Sequence, residues 1–162
     1  MPVTITPVDI GSAPGDGTGD GARTAFGQVN TNEAAIKAAI EKAEVKDYVV
    51  ALGDEVTDMV VGDAAAVFRP SFALTLTGIF ASVTTAPTGS TIIFDVTEGG
   101  VSILSTLLTI DATEKTSVTA AVAAVISDAA IAADSELQFN IDQVGATLAG
   151  TGGKITLLGY KT

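Results

Sequence analysis

A chain of 162 residues holds one domain, or one domain with an appended segment, and is long enough to bury a core of its own. It contains no His, Cys or Trp, which removes histidine-based triads, thiol nucleophiles, disulfides and nearly every transition-metal site, and leaves carboxylate chemistry and hard cations. Eight basic against 19 acidic side chains give a net charge of −11, which argues against nucleic acid or an anionic membrane surface as partner.

The chain opens on MPVTITPVDIGSAP, a lead punctuated by Pro2, Pro7 and Pro14 that lacks the basic segment and continuous apolar run of a targeting signal. Val3, Ile5, Val8 and Ile10 are its apolar side chains, available to a partner surface. A Gly/Asp loop follows. Gly17-Thr18-Gly19-Asp20-Gly21-Ala22 fits the dinucleotide fingerprint G-x-G-x-x-A, but no buried strand precedes it and no parallel βαβ pattern follows. Asp16, Thr18, Asp20 and Gly21 are spaced like the start of an EF-hand loop, yet Gly27 stands where a bidentate Glu is needed. The loop is therefore read as a turn ahead of a helix, with neither metal nor cofactor expected.

A helix is predicted from about residue 23 to residue 44. Phe26, Val29, Glu33, Ile36, Ile40 and Ala43 recur at alternating spacings of three and four, a heptad seam with one charged position. An amphipathic helix lying on its own domain would show a similar stripe. This one is narrow and flanked by alanines, which suits close association of identical helices in a short parallel bundle. Phe26, Val29, Ile36 and Ile40 are the candidate oligomerisation residues. Arg23, the first basic side chain, is a candidate charged contact to a partner; pairing with Asp16 or Asp20 is the alternative.

Near residue 47 the character changes to short Val, Ile, Thr and Phe runs separated by Gly, Asp and Pro. Strands are predicted at 48–52, 57–61, 73–84, 90–97, 101–110, 117–126, 135–141 and 154–160, with a helical turn as the alternative in the Ala-rich stretch 119–133. The clearest alternation sets Leu137, Phe139 and Ile141 against Gln138, Asn140 and Asp142; Ile92, Phe94 and Val96 repeat it. The predicted fold is mainly β: an extended N-terminal arm and short α-helix (residues 1–46) followed by an antiparallel β-sandwich of jelly-roll type (residues 47–162). At 47% hydrophobic and 17% charged, the chain has apolar content to spare for a subunit interface or for an apolar-rich core. The acidic run Asp54, Glu55, Asp58 and Asp63 is read as a solvated loop face rather than a cation site. No Ser, Thr or Lys stands in a nucleophile context, and a carboxylate pair for glycoside hydrolysis would want an aromatic cleft where the chain has two Tyr and no Trp. No enzyme activity is expected.

The run from Gly15 to Asn30, GDGTGDGARTAFGQVN, resembles a segment near the N-termini of tailed-bacteriophage virion proteins, in which "DGTGD…RTAF…N" leads into a helix and serves attachment to the particle. Later stretches are similar to phage structural β-domains. They include Thr85-Ala86-Pro87-Thr88-Gly89-Ser90, Ser102-Ile103-Leu104-Ser105-Thr106 with Leu108-Thr109-Ile110-Asp111, and Ile141-Asp142-Gln143-Val144-Gly145 near Gly150-Thr151-Gly152. The resemblance covers about half the chain and brings no catalytic residue. Its segment ends differently, in Asn30-Thr31-Asn32-Glu33-Ala34 where the family carries an aromatic. It implies a homotrimer on the exterior of the virion, assembled in the host cytoplasm and bound to a capsid or tail protein through Val3, Ile5, Val8, Ile10 and Arg23. A capsid decoration or head-fibre role is expected; a tail or neck adhesin binding a host-surface receptor is the alternative.

Overall fold

Helix α1 spans Ala22–Ala43 in a computed structural model that describes residues 5–9, 17–19, 21–43 and 45–162. Alanines and straight-chain residues favour it, and the Gly21 carbonyl accepts the Ala25 N–H at 2.9 Å. The polar triplet Asn30-Thr31-Asn32 does not break it. The Thr31 hydroxyl donates back to the Gly27 carbonyl at 2.9 Å, so its competing hydrogen bond stays inside the helix. The helix belongs to one compact unit, residues 1–44; residues 45–162 form a second.

The second unit is built from β1 (Val45–Ala51), β2 (Gly62–Phe68), β3 (Leu74–Ser82), β4 (Ile92–Glu98), β5 (Val101–Ser102), β6 (Leu104–Thr106), β7 (Leu108–Ile110), β8 (Val125–Ile126), β9 (Ala130–Ile131), β10 (Leu137–Gln143) and β11 (Lys154–Lys161). Its chain runs as one long antiparallel hairpin rolled up on itself. The reversal after β4 falls on Gly99 and Gly100, whose φ values of 58° and 84° suit a two-residue turn that other residues resist. From there the returning arm pairs with the outgoing one: β5 and β7 with β4, β9 with β3, β10 with β2, and β11 with β1. Rolling this double ribbon also lays β10 against β4 and β11 against β3. Two sheets result, β1-β11-β3-β9 and β2-β10-β4-β5, with β7 beside β5 on β4. This is a jelly-roll β-sandwich. Strands β6 and β8 form a small separate pair.

The core lies between the sheets. Ile92, Phe94, Val96, Leu137, Phe139 and Ile141 meet Leu76, Ile79, Ile155 and Leu157, all buried. The period-two alternation read in β4 and β10 therefore points its apolar members inward. One member of the supposed wet face departs. Asn140 is only 8% exposed, because β2 bulges opposite it and the Asn140 Oδ1 accepts the Ala64 N–H at 2.8 Å.

Three strand predictions need correction. Residues 57–61 form no strand; β2 starts at Gly62, and the segment before it is a loop tied to the approach to β11 by Leu52 N–H to the Gly153 carbonyl (2.8 Å) and Met59 N–H to the Gly150 carbonyl (2.9 Å). Residues 117–126 hold a 3₁₀ turn, Ser117–Thr119, and only the two residues of β8. The run 101–110 is split into β5, β6 and β7, because the chain leaves β4 to pair with β8 and then returns.

Candidate interaction surfaces

In the first unit the heptad seam faces solvent. Phe26 is 70% exposed, Val29 49%, Ile36 44% and Ile40 62%, and Glu33 is exposed among them. Another stripe of the helix, Ala25, Gln28, Asn32, Ala35 and Ala39, is half-buried. There the Asn32 side chain ties the lead to the helix. The Thr6 N–H donates to Asn32 Oδ1 at 3.2 Å, and Asn32 Nδ2 donates to the Thr6 carbonyl at 2.8 Å. The carboxamide thus grips one residue by both its backbone groups, as a neighbouring strand would.

Residues 5–9 are accordingly part of the helical unit, with Val8 half-buried and Ile5 exposed. Val3 and Ile10 lie outside the described residues, as do Asp16 and Asp20, the carboxylates considered for Arg23; Arg23 itself is exposed. The structure brings Phe26, Val29, Ile36 and Ile40 together on one face. The sequence reading missed the Asn32 grip. Its signal was an Asn well inside a helix, a place that residue disfavours unless its side chain has work to do.

In the sandwich, the acidic run is more structural than expected. Asp54 Oδ1 accepts the N–H groups of Val56 (2.9 Å) and Thr57 (2.6 Å), and Oδ2 accepts the Thr57 hydroxyl (2.8 Å). These bonds, the Thr57 N–H foremost, hold its carboxyl below the ordinary range. Glu55 is held low by the Lys154 ammonium and then by the Thr84 hydroxyl. Its carbonyl accepts the Thr151 hydroxyl at 3.0 Å, which closes the loop onto the approach to β11. Among the described residues no group of three acidic side chains is placed to hold a metal ion.

The outer faces of the two sheets differ in charge. On the five-stranded sheet, Asp95 Oδ1 accepts the Ser102 hydroxyl at 2.6 Å, and Asp142 lies close enough to Asp95 and Asp63 to be affected by both. Burial first, then those two charges, push the Asp142 carboxyl above its ordinary range.

The four-stranded sheet is nearly neutral outside. Val49 opposes Thr156, which opposes Phe80 on its other side; Asp47, Leu158 and Gly78 form the next row. Val49 is 59% and Phe80 40% exposed. A Cβ on Gly78 would meet the Phe80 ring at 3.0 Å, so the ring leans over the glycine and fills its place on the face. Beside the Phe80 stretch of β3 opens a groove of about 480 Å³, lined by Thr77, Phe80, Leu108, Val118, Ala124 and Ile126. Comparison of the chain with family models, curated proteins and solved structures finds no match to any of them.

Proposed function

We propose that this chain is a bacteriophage virion structural protein, a homotrimeric capsid decoration or head-fibre protein. In this reading residues 1–46 attach to the particle and self-associate, and the jelly-roll sandwich is displayed. The observation that carries the self-association is the seam of Phe26, Val29, Ile36 and Ile40, which a single chain leaves 44–70% exposed. Fully burying one such side chain is worth about 1.5–3 kcal/mol, so four that are already half-covered offer on the order of 3–6 kcal/mol per chain. That is comparable with the low end of the association cost, roughly 4–15 kcal/mol. The virion assignment is supported by the resemblance of residues 15–30 and of the sandwich segments to phage proteins, together with the division of the chain into a helical unit and a sandwich unit.

Immunogold labelling of intact particles tests the location: label is expected on heads, and label confined to tails or necks overturns the decoration role. Deleting residues 2–22 tests the division of labour. The shortened protein is expected to stay folded and oligomeric and to lose binding to bare particles in a pull-down. Undiminished binding would place the anchor in the sandwich.

A further inference from the structure

We infer that the outer face of the four-stranded sheet, at its β1 margin, is a second contact between copies of this chain, with Val49, Phe80 and Leu158 as its apolar centre. The inference rests on the self-association proposed above and names a surface that the helical seam does not include.

Charge is the first reason. A protein of net charge −11 repels its own copies unless they meet through a face with few carboxylates. On the five-stranded sheet the outer face carries Asp95 and Asp142 with Asp63 nearby. On the four-stranded sheet the outward row positions of β1, β11 and β3 carry Asp47 and Lys154 between Val49, Ala51, Thr156, Leu158, Tyr160, Thr75 and Phe80; Lys154 is paired with Glu55, so Asp47 is the one charge left over among them.

Continuity of the chain is the second. Helix α1 ends at Ala43 and β1 begins at Val45. In a parallel bundle the last residues of neighbouring helices lie side by side, with axes about 8–10 Å apart. With one residue between helix and strand, the β1 strands of neighbouring copies must start next to each other, whichever way each sandwich leans.

The edge itself is the third. Strand β1 has seven residues and, among the described residues, pairs with β11 alone. Thr156 belongs to the hydrogen-bonded pair with Phe80, since the Ala81 N–H points the other way, to Ser117 Oγ at 2.8 Å. The alternation then turns the N–H and C=O of Val49 away from β11, toward the open side. Open strand edges of this length are ordinarily paired or covered. The seam adds a fourth reason, because the burial it offers only matches the low end of what association requires, and a second contact supplies the difference.

Sedimentation of the full chain as wild type, Ile36→Asp and Val49→Glu tests this. Val49 is exposed in a single chain, so its substitution is expected to leave the strand-type circular dichroism unchanged while raising the concentration for half-dissociation at least tenfold. A cysteine-free chain also allows a direct probe. A short bismaleimide is expected to join copies of Val49→Cys and not copies of Val101→Cys, an exposed position on the other sheet. If Ile36→Asp dissociates the protein but Val49→Glu assembles like wild type and Val49→Cys stays unjoined, the sheet contact is overturned and the helical seam stands. If wild type is a monomer, or Ile36→Asp leaves the oligomer intact, the seam fails, and the inference resting on it falls too.

Discussion

On the outer face of the five-stranded sheet, burial and then the neighbouring Asp95 and Asp63 raise the Asp142 carboxyl above its unfolded range, which makes its charged form a burden to the fold. A group shifted upward contributes stability that is complete below its unfolded value and is lost as the pH rises through its folded value. Asp142→Asn is therefore expected to raise the melting temperature at about pH 7, and that gain should vanish near pH 3, where both proteins are uncharged at the site. An equal gain at both values would show that charge is not the cause. Asp54, Glu55 and Glu136, whose carboxylate accepts from the Gln138 amide and pairs with Arg69, run the opposite way. Their hydrogen bonds and ion pairs lower them, so what they contribute is present above their unfolded values and is lost as the pH falls.

At the scale of elements, α1 and the lead form one device through Asn32. Ala is the better helix former, so Asn32→Ala should strengthen the helix while releasing the lead. Losing two exposed hydrogen bonds to Thr6 is worth at most about 1 kcal/mol, or roughly fivefold faster amide exchange at residues 5–9. Unchanged exchange there would mean that the grip does not hold the lead in solution.

The elements also show where a sequence speaks for its structure. Helix α1 lies within one residue of the expected 23–44 at either end, because alanines and a heptad stripe are local signals. Strands β4 and β10 were legible because each has a core side and a wetter side. Strand β2 was not: it reads GDAAAVF, has little alternation, and is held by pairing with β10 through a bulge that Asn140 supports from 76 positions away. The same limit hid β9, two residues in an Ala-rich stretch whose only claim to be a strand is its partner β3. On the candidate surfaces, the seam was visible as periodicity. The Asn32 grip and the neutral sheet face were not, since both depend on which residues the fold makes neighbours.

For the molecule as a whole, the second unit holds a complete core and its own sheet pairings, so a fragment of residues 45–162 is expected to fold alone. Strand-type circular dichroism and one cooperative melt would establish that; an unfolded fragment at high concentration would make the helical unit part of the sandwich's stability.

The rolled hairpin has a further consequence, for synthesis. Within the sandwich, the strand made last, β11, lies between β1 and β3, two of those made first. Until residues 154–161 leave the ribosome, both of those strands lack their shared partner, and Ile155 and Leu157 are missing from the core. Folding of the sandwich is thereby deferred until its last strand has emerged, and its slow, long-range pairings close around a strand that is made after all its partners. A prematurely terminated chain can still make its helix, but it cannot complete the sheet.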